Sequence, residues 1–203
     1  RHTSPTVGPV VHMSLVIPLF PLSGALLLPR TQLPLHIFEP RYRQMMNDAV
    51  QSAAHIGKIQ PRDNDERPTL YPIGCVGEII GLEELDDGRF NIVIQGSHRF
   101  RLINELEVNT PYRQADVDIH IFDDSEPDPL DIARRGDLER EARLLGEAMG
   151  LIVDWAAVSQ LDDETLVNAI AQIAPFDSGA KQALLEAETL VDRADLAAQL
   201  LYF

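Results

Sequence analysis

Catalysis needs a nucleophile, a cluster of metal ligands or a phosphate cradle, and this chain spaces none of its candidates for such work. Its six histidines are scattered with no pair at i,i+4, and Cys75 stands alone, so no zinc pattern forms. There are two lysines, Lys58 and Lys181, and neither follows the glycine-rich loop that holds nucleotide phosphates. Ser178 lies three residues before Lys181, a spacing that reads as a helix start rather than a catalytic pair. Ser97 and His98 are neighbours in a predicted strand and so point to opposite faces. Gly74, Gly77 and Gly81 miss the dinucleotide spacing and precede no helix. Glu83, Glu84, Asp86 and Asp87 gather at a turn; they read as a solvated turn, with a calcium site as the lesser alternative. The expectation is no catalytic residue, no metal and no cofactor. A hydrolase whose residues converge from distant positions is the enzymatic alternative.

Other side chains suit binding. Leu26, Leu27 and Leu28 form an extended apolar run. One of its faces must look away from a barrel core, either onto a helical lobe or out as an apolar patch for partners. Glu39 and Arg41 form a structural ion pair at a helix start, or Arg41 and Tyr42 belong to a peptide-recognition surface. Arg99 and Phe100 are further candidates on a later strand. Arg99 and Arg101, with Arg89 or Arg113 nearby, are the sole candidate basic patch for RNA.

The elements that must position these residues follow from period and punctuation. Five prolines between Pro18 and Pro40 exclude a long helix there, and short strands are expected at Leu15–Leu19, Ala25–Leu28 and Leu33–Phe38. From Pro40 the spacing of Tyr42, Met45, Met46, Ala49 and Val50 is helical. His55–Ile59, Leu70–Leu85, Phe90–Gln95, Arg99–Leu106 and Ala115–Phe122 read as strands, with a polar loop at Gln60–Arg67 and a hairpin turn at Asp86–Arg89. Residues 13–122 are thus a small β-barrel lobe of about seven strands and one helix, its glycines marking corners or bulges. Residues 123–129, DDSEPDP, read as an exposed acidic linker. Residues 130–203 read as a helical lobe, with helices over Leu130–Trp155, from Leu161 to Pro175, from Asp177 or Ser178 to Ala187, and over Ala194–Tyr202. The fold class is α+β. Arg1–His12 lacks any period and reads as the remnant of an expression tag, with Met13 as the native start.

The net charge of −15 is uneven. Residues 1–121 carry 14 acidic and 11 basic side chains, and residues 122–203 carry 18 and 6. Such a surface repels phosphate backbones, which argues against nucleic acid. One cysteine, no export signal and no apolar run near membrane length predict a cytoplasmic protein that meets no membrane.

The stretch PLFPL…LLLP…LPLHIFEPRY (residues 18–42) resembles the opening signature of the N-terminal substrate-recognition domain of Lon proteases. The hairpin IGCVGEIIGLEEL–DDGRFNIVIQGSHRFRL, the motif Pro111-Tyr112-Arg113-Gln114-Ala115-Asp116-Val117 and PFDSGAKQALLE extend the likeness from about Met13 to the end. The resemblance implies a PUA-like barrel lobe followed by a helical lobe, here a stand-alone protein without the ATPase and protease domains. It implies a non-enzymatic module that binds unfolded or specific polypeptide segments, with a protease as a further partner, in proteolysis or protein quality control. An RNA-binding PUA-like protein is the alternative. Apolar side chains would dock in a groove between barrel and helices, or a strand would add to a barrel edge.

Overall fold

The computed structural model describes residues 14–203, so the tag remnant and Met13 as native start lie outside the described residues. Six strands form one mixed sheet: β1 (Leu15–Pro21), β2 (Gln32–Ile37), β3 (His55–Pro61), β4 (Leu70–Glu84), β5 (Phe90–Glu105) and β6 (Gln114–Asp118). The order is β2-β5-β4-β3-β1-β6, and β6 also pairs with β5. That last pairing bends five strands into a near-closed ring and leaves β2 outside it. Along one side of β5, residues 90–95 pair with β2 and residues 101–105 pair with β6. Register shifts in β4 fall between Cys75 and Gly77 and between Ile79 and Gly81, so two of the expected glycines do mark bulges. Gly74 has a different reason: a Cβ there would lie 2.5 Å from both the Lys58 carbonyl and the Phe100 ring that fills the barrel.

Six helices follow the expected punctuation with three differences. α1 (Pro40–Val50) opens on Pro40, and α4 (Asp163–Ile173) is capped by Asp162 and ends before Pro175. α5 (Ser178–Glu186) is capped by Asp177, whose carboxylate accepts from the Ala180 amide. α2 (Ile132–Ala148) stops short of Trp155 because Gly150 turns left-handed at φ 68°, and α3 (Trp155–Val158) is a separate turn. α6 (Leu190–Tyr202) starts four residues earlier than its apolar stripe implies, because Thr189 caps the Asp192 amide. Ala25–Leu28 is extended but joins no ladder, so the sheet has six strands where about seven are expected.

That unpaired stretch is a strap between two cores. Alternate side chains of an extended chain point opposite ways. Leu27 therefore packs with Phe20, Tyr42, Met45 and Met46 against α1, while Leu26 and Leu28 pack with Leu166, Val167, Leu184 and Leu201 among the helices. A third cluster, centred on Phe100 and Leu19, fills the ring. Each buried leucine contributes about 2 kcal/mol by removal from water. The strap seats closely on β5: Pro29 bridges Gly96, where a Cβ would collide with the Leu28 carbonyl.

Residues 123–129 are largely exposed, and Asp124 anchors them. Asp124 accepts from the Arg99 amide at 2.7 Å and from Arg99 Nε at 2.9 Å, with both side chains buried. Arg30, at φ 65°, donates to the Asp124 and Ser125 carbonyls and pairs with Glu164 of α4. The segment is thereby stitched to barrel and helices at once.

Candidate functional site

Six of the seven sequence-predicted binding residues are buried, five of them at most 2% exposed and Tyr42 at 6%. Leu26, Leu27 and Leu28 are each at most 2% exposed, and Phe100 is fully enclosed in the ring. Leu26 and Leu28 thus make the helical-lobe contact rather than an exposed patch. Arg99 is 2% exposed and sits opposite Phe100 on β5, facing the helical half. Its guanidinium donates to the Leu185, Ala187 and Glu188 carbonyls as well as Asp124, and it stacks 3.7 Å from the centre of the Phe122 ring. It ties the two halves together and leaves no basic face. Arg89 pairs with Asp87 and Arg113 with Glu105, so of the four arginines considered for RNA Arg101 alone makes no ion pair among the described residues.

Of the other two candidates, Tyr42 lines a real concavity and Arg41 lies outside its lining. A groove of about 310 Å³ runs between β2, the Pro21–Ala25 turn and the start of α1. Its floor holds Phe20 and Tyr42, packed edge to face at 4.7 Å between ring centres. Its walls are Leu22, Leu33, Leu35 and Phe38. Period 2 in β2 aims Leu33 and Leu35 inward, where they remain half-buried, while Phe38 is 58% exposed at the rim. Arg41 lies over the Tyr42 ring at 4.7 Å and pairs with Glu39 at 2.8 Å. Burial raises the Tyr42 phenol, with Arg41 opposing, so the ring is neutral at the groove floor. Sequence reasoning missed Leu33, Leu35 and Phe38. Their signal was the alternation in QLPLHIF, which marks a face without saying what covers it.

A second concavity, about 470 Å³, lies at the junction of barrel and helices and is polar. Pro29, Arg30, residues 123–129, Glu164 and the start of α6 surround it. Ser178 and Lys181 do not form a pair: Ser178 Oγ bonds Ser23 Oγ, and Lys181 Nζ donates to the Gln172 carbonyl. Cys75 is enclosed and burial raises its thiol. Among the described residues no group of three or more His, Cys, Asp or Glu could hold a metal, and no helix is long and apolar enough to cross a membrane.

A near-closed ring with an appended edge strand, sharing a core with a helical half, defines a class already seen in solved structures. A Lon N-terminal domain protein from Xanthomonas campestris superposes with a TM-score of 0.68 at 21% identity, covering 93% of this chain and 98% of that one. The N-terminal domain of a Mycobacterium avium complex Lon protease gives 0.64 at 14% identity with the same coverage, and both likenesses are of fold. Residues 16–202 match the family model of the ATP-dependent protease La (LON) substrate-binding domain, and the chain belongs to that family. The Lon protease 2 of Myxococcus xanthus is 30% identical over 92% of this chain and 23% of its own length. The Lon protease of Anaeromyxobacter dehalogenans is 29% identical over 98% and 25% respectively. The chain spans about a quarter of the length of these two curated relatives.

Proposed function

We propose that this chain is a non-enzymatic polypeptide-binding module that takes apolar side chains of unfolded segments in the groove between β2 and α1, in the service of proteolysis or protein quality control in the cytoplasm. The observation that carries the reading is the groove itself: an open cleft walled by Leu22, Leu33, Leu35 and Phe38 in a chain of the Lon substrate-binding family. Side-chain docking is favoured over strand addition. Pro34 sits mid-way along β2, the one strand outside the ring, and removes a donor from its ladder. The RNA reading loses its support with Arg99 enclosed and Arg89 and Arg113 paired. A protease that receives the client is the partner this function requires.

The test is fluorescence anisotropy with a labelled, carboxymethylated and permanently unfolded protein. Phe38→Ser removes exposed apolar surface and is expected to weaken binding about fivefold. Ile152→Ser, on the helical tip and fully exposed, is the control for general stickiness and leaves affinity unchanged. Equal affinity of wild type and a folded Phe38→Ser protein overturns the groove.

A further inference from the structure

The junction groove contains a cation that makes no direct ion pair among the described residues. Arg193, in the second turn of α6, is 5% exposed. Its Nε donates to the Leu184 carbonyl at 3.1 Å and its Nη1 to Asn168 Oδ1 at 3.0 Å. Nη2 has no partner, and Arg193 makes no ion pair among the described residues. No buried side-chain nitrogen or oxygen among these residues lacks a hydrogen bond, so Nη2 keeps a solvent contact, and the groove that Arg193 lines supplies it. The two other arginines of the groove are engaged, Arg99 with Asp124 and Arg30 with Glu164. Burial first and then Arg99 push the Arg193 guanidinium down to about 10, with Asp124 and Glu164 opposing from beyond ion-pair distance, which still leaves it charged at neutral pH. A buried, charged group beside a like charge is costly unless an anion completes it. The first turn of α6 lines the same space and brings the positive end of a helix dipole.

The rim has the opposite character. Asp123, Glu126, Asp128 and Glu188 line the groove and form no ion pair among the described residues. They repel a free polyanion such as a nucleic acid backbone. The ligand must therefore carry one compact negative group into the floor and positive charge past the rim.

We propose that the junction groove binds a carboxylate of a polypeptide at Arg193, while lysine or arginine side chains of the same segment lie against Asp123, Glu126, Asp128 and Glu188. This rests on the reading of the chain as a polypeptide binder and adds to it a charge-selective subsite apart from the apolar groove. The carboxylate accepts a charge-assisted hydrogen bond from Nη2, since Nε and Nη1 already donate to Leu184 and Asn168.

Three fluorescent peptides of one lysine-rich sequence test it on the wild-type protein. The first ends in a free carboxylate, the second is amidated with one internal aspartate, and the third is amidated with no acidic residue. The first or second is expected to bind at least about tenfold tighter than the third, and which one does so tells a chain end from a side chain. Arg193→Gln abolishes the difference. Should that variant not fold, the wild-type comparison decides alone, and Glu188→Gln with Asp128→Asn weakens all three peptides and flattens their salt dependence. Equal affinities for the three peptides overturn the inference. So does failure of all three while the unfolded protein still binds, which leaves the apolar groove standing. Failure of peptides and unfolded protein together overturns both readings.

Discussion

The barrel offers two faces to helices, and they are held by different physics. Against α1 the contact is almost wholly apolar: Leu27, Ile37, Tyr42, Met45, Met46 and Ile94 interlock, and polar ties sit at the edges. Tyr112 donates to Asp48 at 2.7 Å, and Arg43 donates to the Asp87 and Gly88 carbonyls. Against the helical half, apolar packing by Leu26, Leu28 and Ile73 surrounds a polar centre. Arg99 reaches across it to Asp124 and three carbonyls, and Gln60 and Gln182 bond each other and the chains around them. An apolar face tolerates small slips in geometry. A face organised by a buried arginine has one geometry, since every donor needs its acceptor in place. The open apolar groove adjoins the first face and the charged groove adjoins the second.

The contrast breaks most sharply at Arg99. Arg99→Met leaves three carbonyl groups and Asp124 Oδ1 without the guanidinium that donates to them inside the protein, while Asp124 Oδ2 keeps the residue-99 amide. The expected loss is about 3–5 kcal/mol, read as a lower urea midpoint, with the helical half loosening first in hydrogen exchange. Leu27→Ala on the other face costs about 3 kcal/mol and loosens α1. If Arg99→Met costs less than Leu27→Ala, the junction is held by its apolar contacts and the comparison fails.

Lys58 sharpens the comparison through pH. It is enclosed, with Nζ donating to the Leu22 carbonyl at 2.6 Å, and makes no ion pair among the described residues. Burial lowers it to about 7; Cys75, its cross-strand neighbour on β4, opposes the shift and Lys181 on α5 adds to it. The folded value lies below the unfolded one, near 10.5, so between these values the unfolded chain binds the extra proton. Stability therefore rises with pH from about 7, by up to about 1.4 kcal/mol per unit. Above about 9 the thiol of Cys75, raised by burial, works the other way, because the unfolded chain then loses a proton that the fold retains. Lys58→Met is expected to raise the urea midpoint at pH 7 and to remove the rise between pH 7 and 9. A slope unchanged in that variant assigns the titration elsewhere.

These two residues also show what was legible in the sequence. Period and punctuation placed β1, α1, the β4–β5 hairpin and α4 to within a few residues, because local alternation and caps determine them. Arg99 and Lys58 sit on strands whose alternation was legible, Arg99 opposite Phe100, yet what they meet was not. Their partners lie in Asp124, the α5–α6 turn and the turn after β1, and no local pattern records a contact between segments 20 to 90 residues apart. The same limit hid the apolar groove. Leu26–Leu28 looks more exposed in sequence than Leu33, Leu35 and Phe38, and the fold reverses that order because the strap lies between two cores.

The smallest effect is expected at the start of α1, where the sequence left an ion pair and a recognition surface as alternatives. Glu39 and Arg41 pair at 2.8 Å, but both side chains are more than 40% exposed. Pairs in such surroundings contribute at most about 0.5 kcal/mol and fade with salt. Arg41→Ala should leave the urea midpoint nearly unchanged. Its guanidinium nonetheless lies over the ring that floors the apolar groove, so its removal bares the Tyr42 face. Affinity for the unfolded protein should therefore change, by about twofold, while stability does not. A stability loss above about 1 kcal/mol would make Arg41 a structural anchor of α1 and return FEPRY to the apolar face as scaffold.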